Sequence, residues 1–300
     1  MRRVATLLSA AITAVLLGAG PAGACGGLVG ENGTIQLTRT VTLAAYHDGV
    51  ERYVTSFAFT GEGEEVGSIV PLPGVPTKVQ RGGDWTLQRL AREVEPVFEA
   101  QVASDAAGVA KADVLLETKI DALDITILRG GGDEVGAWAI EHGFLLTPDA
   151  PEVLDHYSHQ SKVFMAARFD ATRARDLGQN SGDGTPIMLT IPVDEPWVPL
   201  RILSLGLERS TVVDADVFLL TDTTPLMHAD ARDLTVERSE AASSSLLDDL
   251  RSDNGMHWVP DEMWLTHLQV RARAAQLRGD LAVTTGVSLP AWARVGAVVA

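Results

Sequence analysis

Cysteine is nearly absent. Cys25 is the only one in 300 residues, so no disulfide can form within the chain and the fold must rest on an apolar core. Basic residues are also scarce: 24 Lys and Arg stand against 40 Asp and Glu, for a net charge of −16. Lysine occurs only at Lys78, Lys111, Lys119 and Lys162. A surface of that sign repels phosphate backbones and anionic headgroups, which argues against nucleic acid as a partner. The nucleotide-binding loops are missing as well. Gly61, Gly63 and Gly67 miss the dinucleotide spacing by one residue, and no Gly-Lys-Ser/Thr occurs. Ser181 is not flanked by glycines two residues away on each side, so it makes no nucleophile elbow, and there is no His-Glu-x-x-His. These absences remove the commonest nucleotide-dependent and hydrolytic chemistries. No repeat of fixed period is visible.

What is present starts with an address. Met1-Arg2-Arg3, the apolar run Val4 to Leu17, and the small residues through Ala22-Gly23-Ala24 form the basic start, short apolar middle and small-x-small cleavage site of a secretory signal. Residues 1–24 are read as that signal, which places the protein outside the cytoplasm, or on the outer face of the cytoplasmic membrane. Cys25 then becomes the first residue of the mature chain. Either it carries a lipid or it stays a free or intermolecular thiol, and Ala22-x-Ala24 suits ordinary signal peptidase. At the other end, residues 289–300 form an apolar tail: Trp292 suits a membrane interface, and everything after Arg294 is apolar or small. Six residues cover only about 9 Å of helix against a hydrocarbon core of roughly 30 Å. Two readings follow: the tail is the start of a membrane anchor, or the protein is released or held by lipid on Cys25.

Between these ends, residues 25–288 read as one exported domain. Ile35, Leu37, Val41, Leu43 and Ala45 share one parity, the alternation of a half-buried strand. His47-Asp48-Gly49 is a tight turn, and Val50 to Phe59 the returning strand. Residues 61–67, glycine-rich and acidic, read as a second hairpin turn leading to a strand that Pro71 and Pro73 end or confine to a sheet edge. Asp84 reads as the N-cap of a helix carrying Leu87, Leu90, Ala91 and Val94, limited by Pro96. Ile125 to Leu128 is a β run. Helical patterns follow from Asp133 to His142 and from Pro151 to His159, then a buried strand from Lys162 to Phe169. The glycines of residues 178–185 suggest an internal boundary. Beyond it, Pro186 to Val193, Val198 to Leu207, Val212 to Leu220, Met263 to Val270 and Leu281 to Thr285 read as strands. A helix capped by Ser243 or Ser244 runs through Leu250. Meandering strands with scattered short helices predict an α+β fold built mainly of antiparallel sheets.

Few residue groups invite chemistry. On the Pro151–His159 helix, His156 and His159 are three apart and share a face, a spacing that suits a transition metal given a third ligand. Their bland reading is a hydrogen-bonded pair favoured at a helix C-terminus. His47-Asp48 and His228-Ala-Asp230 are weaker pairs in turns. Glu62, Glu64 and Glu65 lack the ligand alternation of a calcium loop. Asp248, Asp249 and Asp253 with Arg251 read as the solvated face of a helix. Trp85, Trp138, Trp197, Trp258, Trp264 and Trp292 are spread over the whole chain, which favours packing over an aromatic platform.

Several separated stretches carry a resemblance. Ala24-Cys-Gly-Gly27, Thr42-Leu-Ala-Ala-Tyr-His-Asp-Gly49, Gly67-Ser-Ile-Val-Pro-Leu-Pro-Gly74, Gly83-Asp-Trp-Thr-Leu-Gln-Arg-Leu90, Trp197-Val-Pro-Leu-Arg-Ile-Leu-Ser204, Ala215-Asp-Val-Phe-Leu-Leu-Thr-Asp222 and Met263-Trp-Leu-Thr266 occur in the order found in the bacterial family called domain of unknown function 2330, which the chain resembles over nearly its whole mature length. The resemblance implies an exported envelope protein, often with a hydrophobic C-terminal anchor, and supplies no activity, cofactor or catalytic residue. Many relatives carry further cysteines that this chain lacks. The expectation is a binding or structural module of the cell envelope. Its partner would be an envelope protein or glycan, and its membrane attachment the C-terminal tail or a lipidated Cys25. The competing expectation is an exported metal-dependent hydrolase using His156 and His159.

Overall fold

The computed structural model of the protein describes residues 27–30, 40–57, 65–94, 112–179, 185–229 and 234–285. The leader, Cys25, Glu62, Glu64 and the 289–300 tail lie outside them. Among the described residues no helix is long and apolar enough to cross a membrane.

Two sheets dominate. One has five strands in the order β1 (Gly27–Gly30), β4 (Glu65–Leu72), β8 (Val163–Asp170), β7 (Leu123–Arg129) and β6 (Asp113–Ile120). The other has seven, in the order β13 (Leu234–Ala241), β14 (Trp264–Arg273), β11 (Val212–Thr221), β2 (Thr40–His47), β3 (Val50–Phe57), β9 (Thr185–Pro192) and β5 (Lys78–Arg81). A small third sheet joins β10 (Trp197–Val198), β15 (Leu281–Thr284) and β12 (Leu226–Ala229). Neighbouring strands run antiparallel, except β2 and β11, which are parallel. Strands from either side of residues 178–185 share the seven-stranded sheet, since β9 pairs with β3 and β5.

The large sheets face each other across one apolar core, where Val70, Leu72, Ile125, Ile127 and Met165 meet Ala44, Tyr53, Leu189, Val217 and Leu268. Each sheet's outer face carries helices. Val135, Trp138 and Ala139 of α2 (Gly132–Glu141) and Leu154 and Tyr157 of α3 (Ala150–Ser158) pack on Ile69, Leu128, Phe164 and Ala166. On the other side, Leu90 of α1 (Thr86–Val94) and Leu246, Leu247 and Leu250 of α5 (Ser244–Ser252) pack on Leu43, Ala45, Val54 and Phe218. A short helix α4 (Ala171–Asp176) follows β8. The layers run helix, sheet, sheet, helix. The α+β expectation holds in its antiparallel sheets and few helices, with more sheet than the sequence pattern implied.

Double coverage explains several departures from that pattern. β2 is a central strand, and Thr42 and Ala44 on its polar-looking face are buried between the sheets, so it is not half-solvated. The His47 to Val50 hairpin forms as read. The second hairpin turn expected at residues 61–67 falls largely outside the described residues; the strands on either side of it do not pair with each other, since β3 pairs with β2 and β9 whereas β4 pairs with β1 and β8. Pro71 lies in β4 beyond the four residues that pair with β1, so its missing N–H interrupts no ladder on that side. Of the run Val198 to Leu207 only the start is strand, and Arg201–Ser204 is a 3-10 turn. The four-residue β12 and the polar β13 escaped the apolar pattern; charges along β13 suit an edge strand.

The N-terminus of α1 is capped from across the chain. Asp84, expected as the cap, points out and pairs with Arg81 at 2.5 Å. The cap is Asp253, just past α5 and 3% exposed. Its carboxylate accepts the backbone N–H groups of Asp84 and Trp85 at 3.2 Å each, Thr86 N–H at 2.8 Å and the Thr86 hydroxyl at 2.7 Å. A negative group is doubly favoured there, by orphan N–H donors and by the helix dipole. Gly83 permits the approach, since a Cβ at that position would collide with the Asp253 carboxylate. By contrast α5 uses its own Ser243, whose side chain accepts Leu246 N–H at 3.2 Å.

Glu51 is the odd member of the inter-sheet core. It is 0% exposed and neither carboxyl oxygen completes a hydrogen bond of good geometry. Burial pushes its pKa from 4.5 up to about 8, which the Trp197 backbone N–H offsets only in part. The carboxyl is therefore mostly protonated at neutral pH.

Two outcomes follow from these groups. Asp253→Ala strands several buried donors and should cost about 3 kcal/mol in chemical denaturation, against about 1 kcal/mol for Ser243→Ala; equal losses would mean that the long-range cap is unimportant. For Glu51 the unfolded chain ionises first as pH rises above 4.5 and the folded chain only near 8. Stability should thus fall across that window and level off above it. Relative to Glu51→Gln, the wild-type protein should lose about 3 kcal/mol between pH 4.5 and 7; parallel stability curves for the two proteins would show that Glu51 is not held protonated.

Candidate functional site

The two histidines singled out on α3 are each engaged by the protein itself. His156 Nε2 lies 3.3 Å from Asp280 Oδ2 and 2.9 Å from the Gln160 side-chain nitrogen. The Asp280 side chain is 7% exposed and also accepts the Tyr157 hydroxyl at 2.7 Å and the backbone N–H groups of Leu200 and Arg201 at 2.8 and 3.1 Å. Burial raises the Asp280 pKa, but donors from His156, Tyr157, the Arg201 backbone and Gln160 outweigh it and hold the carboxyl below its ordinary value. Burial, followed by the Asp280 charge, pushes Tyr157 well above 10.0. The Tyr157 oxygen in turn accepts Ile202 N–H at 2.8 Å. This network caps the 3-10 turn and fastens it to α3. His159 is turned elsewhere: its side chain is 75% exposed and its Nδ1 lies 2.8 Å from the Asp155 carbonyl. Among the described residues no third ligand joins this pair.

The other acidic and histidine candidates separate. Asp248 and Asp249 form surface pairs with Arg251 and Arg89, whereas Asp253 is the buried cap and leaves the solvated face expected for it. His228 is an exposed residue of β12, and Asp230 lies outside the described residues. Tryptophans occur in several layers, and Trp197 stacks on Tyr157 at 5.8 Å.

A cleft of about 340 Å³ opens on the outer face of the five-stranded sheet, beside α2. Thr126 and Ala166, paired between β7 and β8, lie in its floor. Its wall is aromatic. α2 ends at His142, and Gly143, at φ +82°, reverses the chain. Gly143 N–H bonds the Ile140 carbonyl at 3.2 Å and Phe144 N–H the Ala139 carbonyl at 2.9 Å, the Schellman pattern that folds the next residue back onto the helix. Phe144 is thereby brought to 5.9 Å from the ring of Trp138. The exposed imidazole of His142 stacks on the buried indole of Trp138 at 3.9 Å and 16°. With His142 Nδ1 at 2.9 Å from the Trp138 carbonyl, that nitrogen is the donor, and Nε2 is left as an acceptor.

The cleft's polar side is a charge knot. Asp124 pairs with Lys119 and Arg173 at 2.9 Å each and with Arg168 at 3.4 Å. Burial raises the Asp124 pKa, yet hydrogen bonds and charges from Lys119 and Arg173 bring it below its ordinary value. Glu117 and Thr118 complete the rim. No sequence pattern announced this site, because its residues come from three strands, a helix end and a loop.

A second cluster stands at the end of the seven-stranded sheet. The parallel register sets Tyr46 opposite Thr221, so the residues that follow, His47 and Asp222, emerge side by side. His47 Nδ1 lies 2.6 Å from Asp222 Oδ1, and His47 Nε2 lies 3.3 Å from Asp48 Oδ2. The imidazole stacks on Trp258 at 6.4 Å, and Arg52 covers that indole at 4.1 Å. Among the described residues this is the one group of three side chains whose donor atoms lie close enough to share a metal ion. His47-Asp48 was visible as a turn pair; Asp222 was not, since only the pairing of distant strands adds it.

Comparison with known proteins gives a family and a distant likeness in shape. No curated protein matches the chain. The crystal structure of baculovirus P35 is similar at 10% identity over 83% of this chain and 94% of that one, with a TM-score of 0.42. A mutated baculovirus P35 after caspase cleavage is similar at 8% identity over 82% and 94%, with a TM-score of 0.41. The family described as an uncharacterised protein conserved in bacteria, domain of unknown function 2330, matches residues 19–284. The chain therefore belongs to that bacterial family.

Proposed function

We propose that the protein is an exported module of the bacterial cell envelope that binds an envelope glycan in the cleft beside α2. The N-terminal basic, apolar and small-residue pattern supports export, and the net charge of −16 disfavours polyanionic ligands. The observation that carries the reading is the composition of the cleft. Its volume of about 340 Å³ falls in the small-ligand range of roughly 300–1,000 Å³. It sets a stacked His142–Trp138 pair and Phe144 opposite Thr118, Thr126, Glu117, Lys119 and Arg168. A sugar ring offers an apolar C–H face to an aromatic wall and a rim of hydroxyls to charged and hydroxyl side chains, so each wall has a matching surface. A flat protein surface would fill so concave and polar a site poorly.

The test is a titration of the purified protein with soluble fragments of the source envelope's glycans, followed by calorimetry or by chemical-shift changes. Saturable binding is expected, weakened about tenfold or more by His142→Ala, which removes a stacking surface and an acceptor worth about 1.4 kcal/mol or more together. His142 and Glu117 are exposed, so Glu117→Ala supplies a second variant that leaves the core intact. If no glycan fraction binds, or if both variants bind as tightly as the wild type, the proposal is wrong.

A further inference from the structure

We propose that His47, Asp48 and Asp222 form a binding site for a divalent first-row transition ion such as Zn²⁺, separate from the cleft. Three features of the cluster carry this. The first is the bite. His47 Nε2 and Asp48 Oδ2 are 3.3 Å apart, long for a charge-assisted hydrogen bond. It equals the separation of roughly 3.3 Å between two ligands on a tetrahedral ion with bonds of about 2.0–2.1 Å.

The second feature is the orienting partner. Asp222 Oδ1 lies 2.6 Å from Nδ1 of the same ring. In the tautomer with its proton on Nδ1, the carboxylate holds the imidazole and directs the Nε2 lone pair outward, towards Asp48. Metal-ligating histidines are held by carboxylates in this way. Asp222 thus acts on the ion through the ring, and it belongs to the group of His47, Asp48 and Asp222 whose donor atoms lie within 4.8 Å of one another.

The third is the electrostatic and packing frame. Asp48 and Asp222 bring two negative charges, and Arg52, parked on Trp258, brings one positive. The local balance stays negative and favours a cation. Trp258 backs the imidazole, so the first ligand is fixed in place before an ion arrives. The site is open on the Asp48 side, where that side chain is 86% exposed, which leaves room for water to complete the coordination. Imidazole nitrogen with carboxylate oxygen suits zinc, nickel or manganese better than calcium, whose sites use oxygen alone.

The experiment uses the full chain, stripped with chelator and titrated with Zn²⁺ by calorimetry, and with Co²⁺ by visible absorption. One equivalent should bind, and Co²⁺ should give the d–d bands of a low-coordinate nitrogen-oxygen site. His47→Gln should abolish binding. Asp222→Asn should weaken it by about 10- to 100-fold. Asp48→Asn should weaken it by about tenfold or more, and it keeps the turn, because Asn tolerates the positive φ of 52° at that position. Asp48→Asn thus remains informative even if His47→Gln folds poorly. His156→Ala with His159→Ala should bind as the wild type does. Absence of a saturable site, binding unchanged in Asp48→Asn and Asp222→Asn, or loss of binding in the His156/His159 variant would each overturn the proposal. None of these outcomes depends on whether the cleft binds a glycan.

Discussion

The rest of the structure depends on the burial of two sheets against each other without any covalent tie. With one cysteine in the chain no disulfide ties the layers, and the core between the sheets is correspondingly extensive. Central strands that are covered on both faces must place something on their polar-looking side. In β2, β3 and β4 that something is Thr42, Thr55, Ser68 and Glu51, all 0% exposed. The side-chain oxygens of Thr42, Thr55 and Ser68 find no hydrogen-bond partner and the Glu51 carboxyl has only the Trp197 backbone N–H beside it, a costly choice in a low-dielectric interior. Glu51 lowers its share of the cost by staying protonated, which makes the stability of the core depend on pH between about 4.5 and 8.

Two buried carboxylates near the C-terminal end tie the layers together. Asp253 gathers the N-terminus of α1, about 170 residues earlier in the chain, and Asp280 gathers α3 and the 3-10 turn. Both stand where backbone donors are left over at the start of a helix or turn. A local cap satisfies fewer donors, as Ser243 does with the single N–H of Leu246, and fixes nothing else. A cap from a distant residue couples the formation of a helix to the docking of the strand or helix that delivers it.

The candidate sites lie where this framework ends. The cleft occupies outer sheet surface beside the C-terminus of α2, and its aromatic wall exists because Gly143 turns the chain back. The His47 cluster sits where the two parallel strands β2 and β11 stop together. Both are mounted on rigid elements, which holds donor atoms and ring faces in place before any ligand binds.

Much of the fold was legible because local signals agreed with the final environment. The β2–β3 hairpin, α2, α3, α5, β8, β9, β11, β14 and β15 all lie where periodicity, caps and turn residues put them. The sequence also determined, through its lone cysteine, that no disulfide forms within the chain. Tertiary structure alone decided which sheet each strand joined, since β3 and β4 are close in sequence yet face each other across the core. It replaced Asp84 with Asp253 as a cap, because a buried carboxylate offers several donors a partner that an exposed neighbour does not. It added Asp222 to His47 and assembled the cleft from five separate elements. Periodicity reports which way a side chain points along its own strand or helix; which distant chain segment stands opposite is set by packing, and the sequence carries no local record of that.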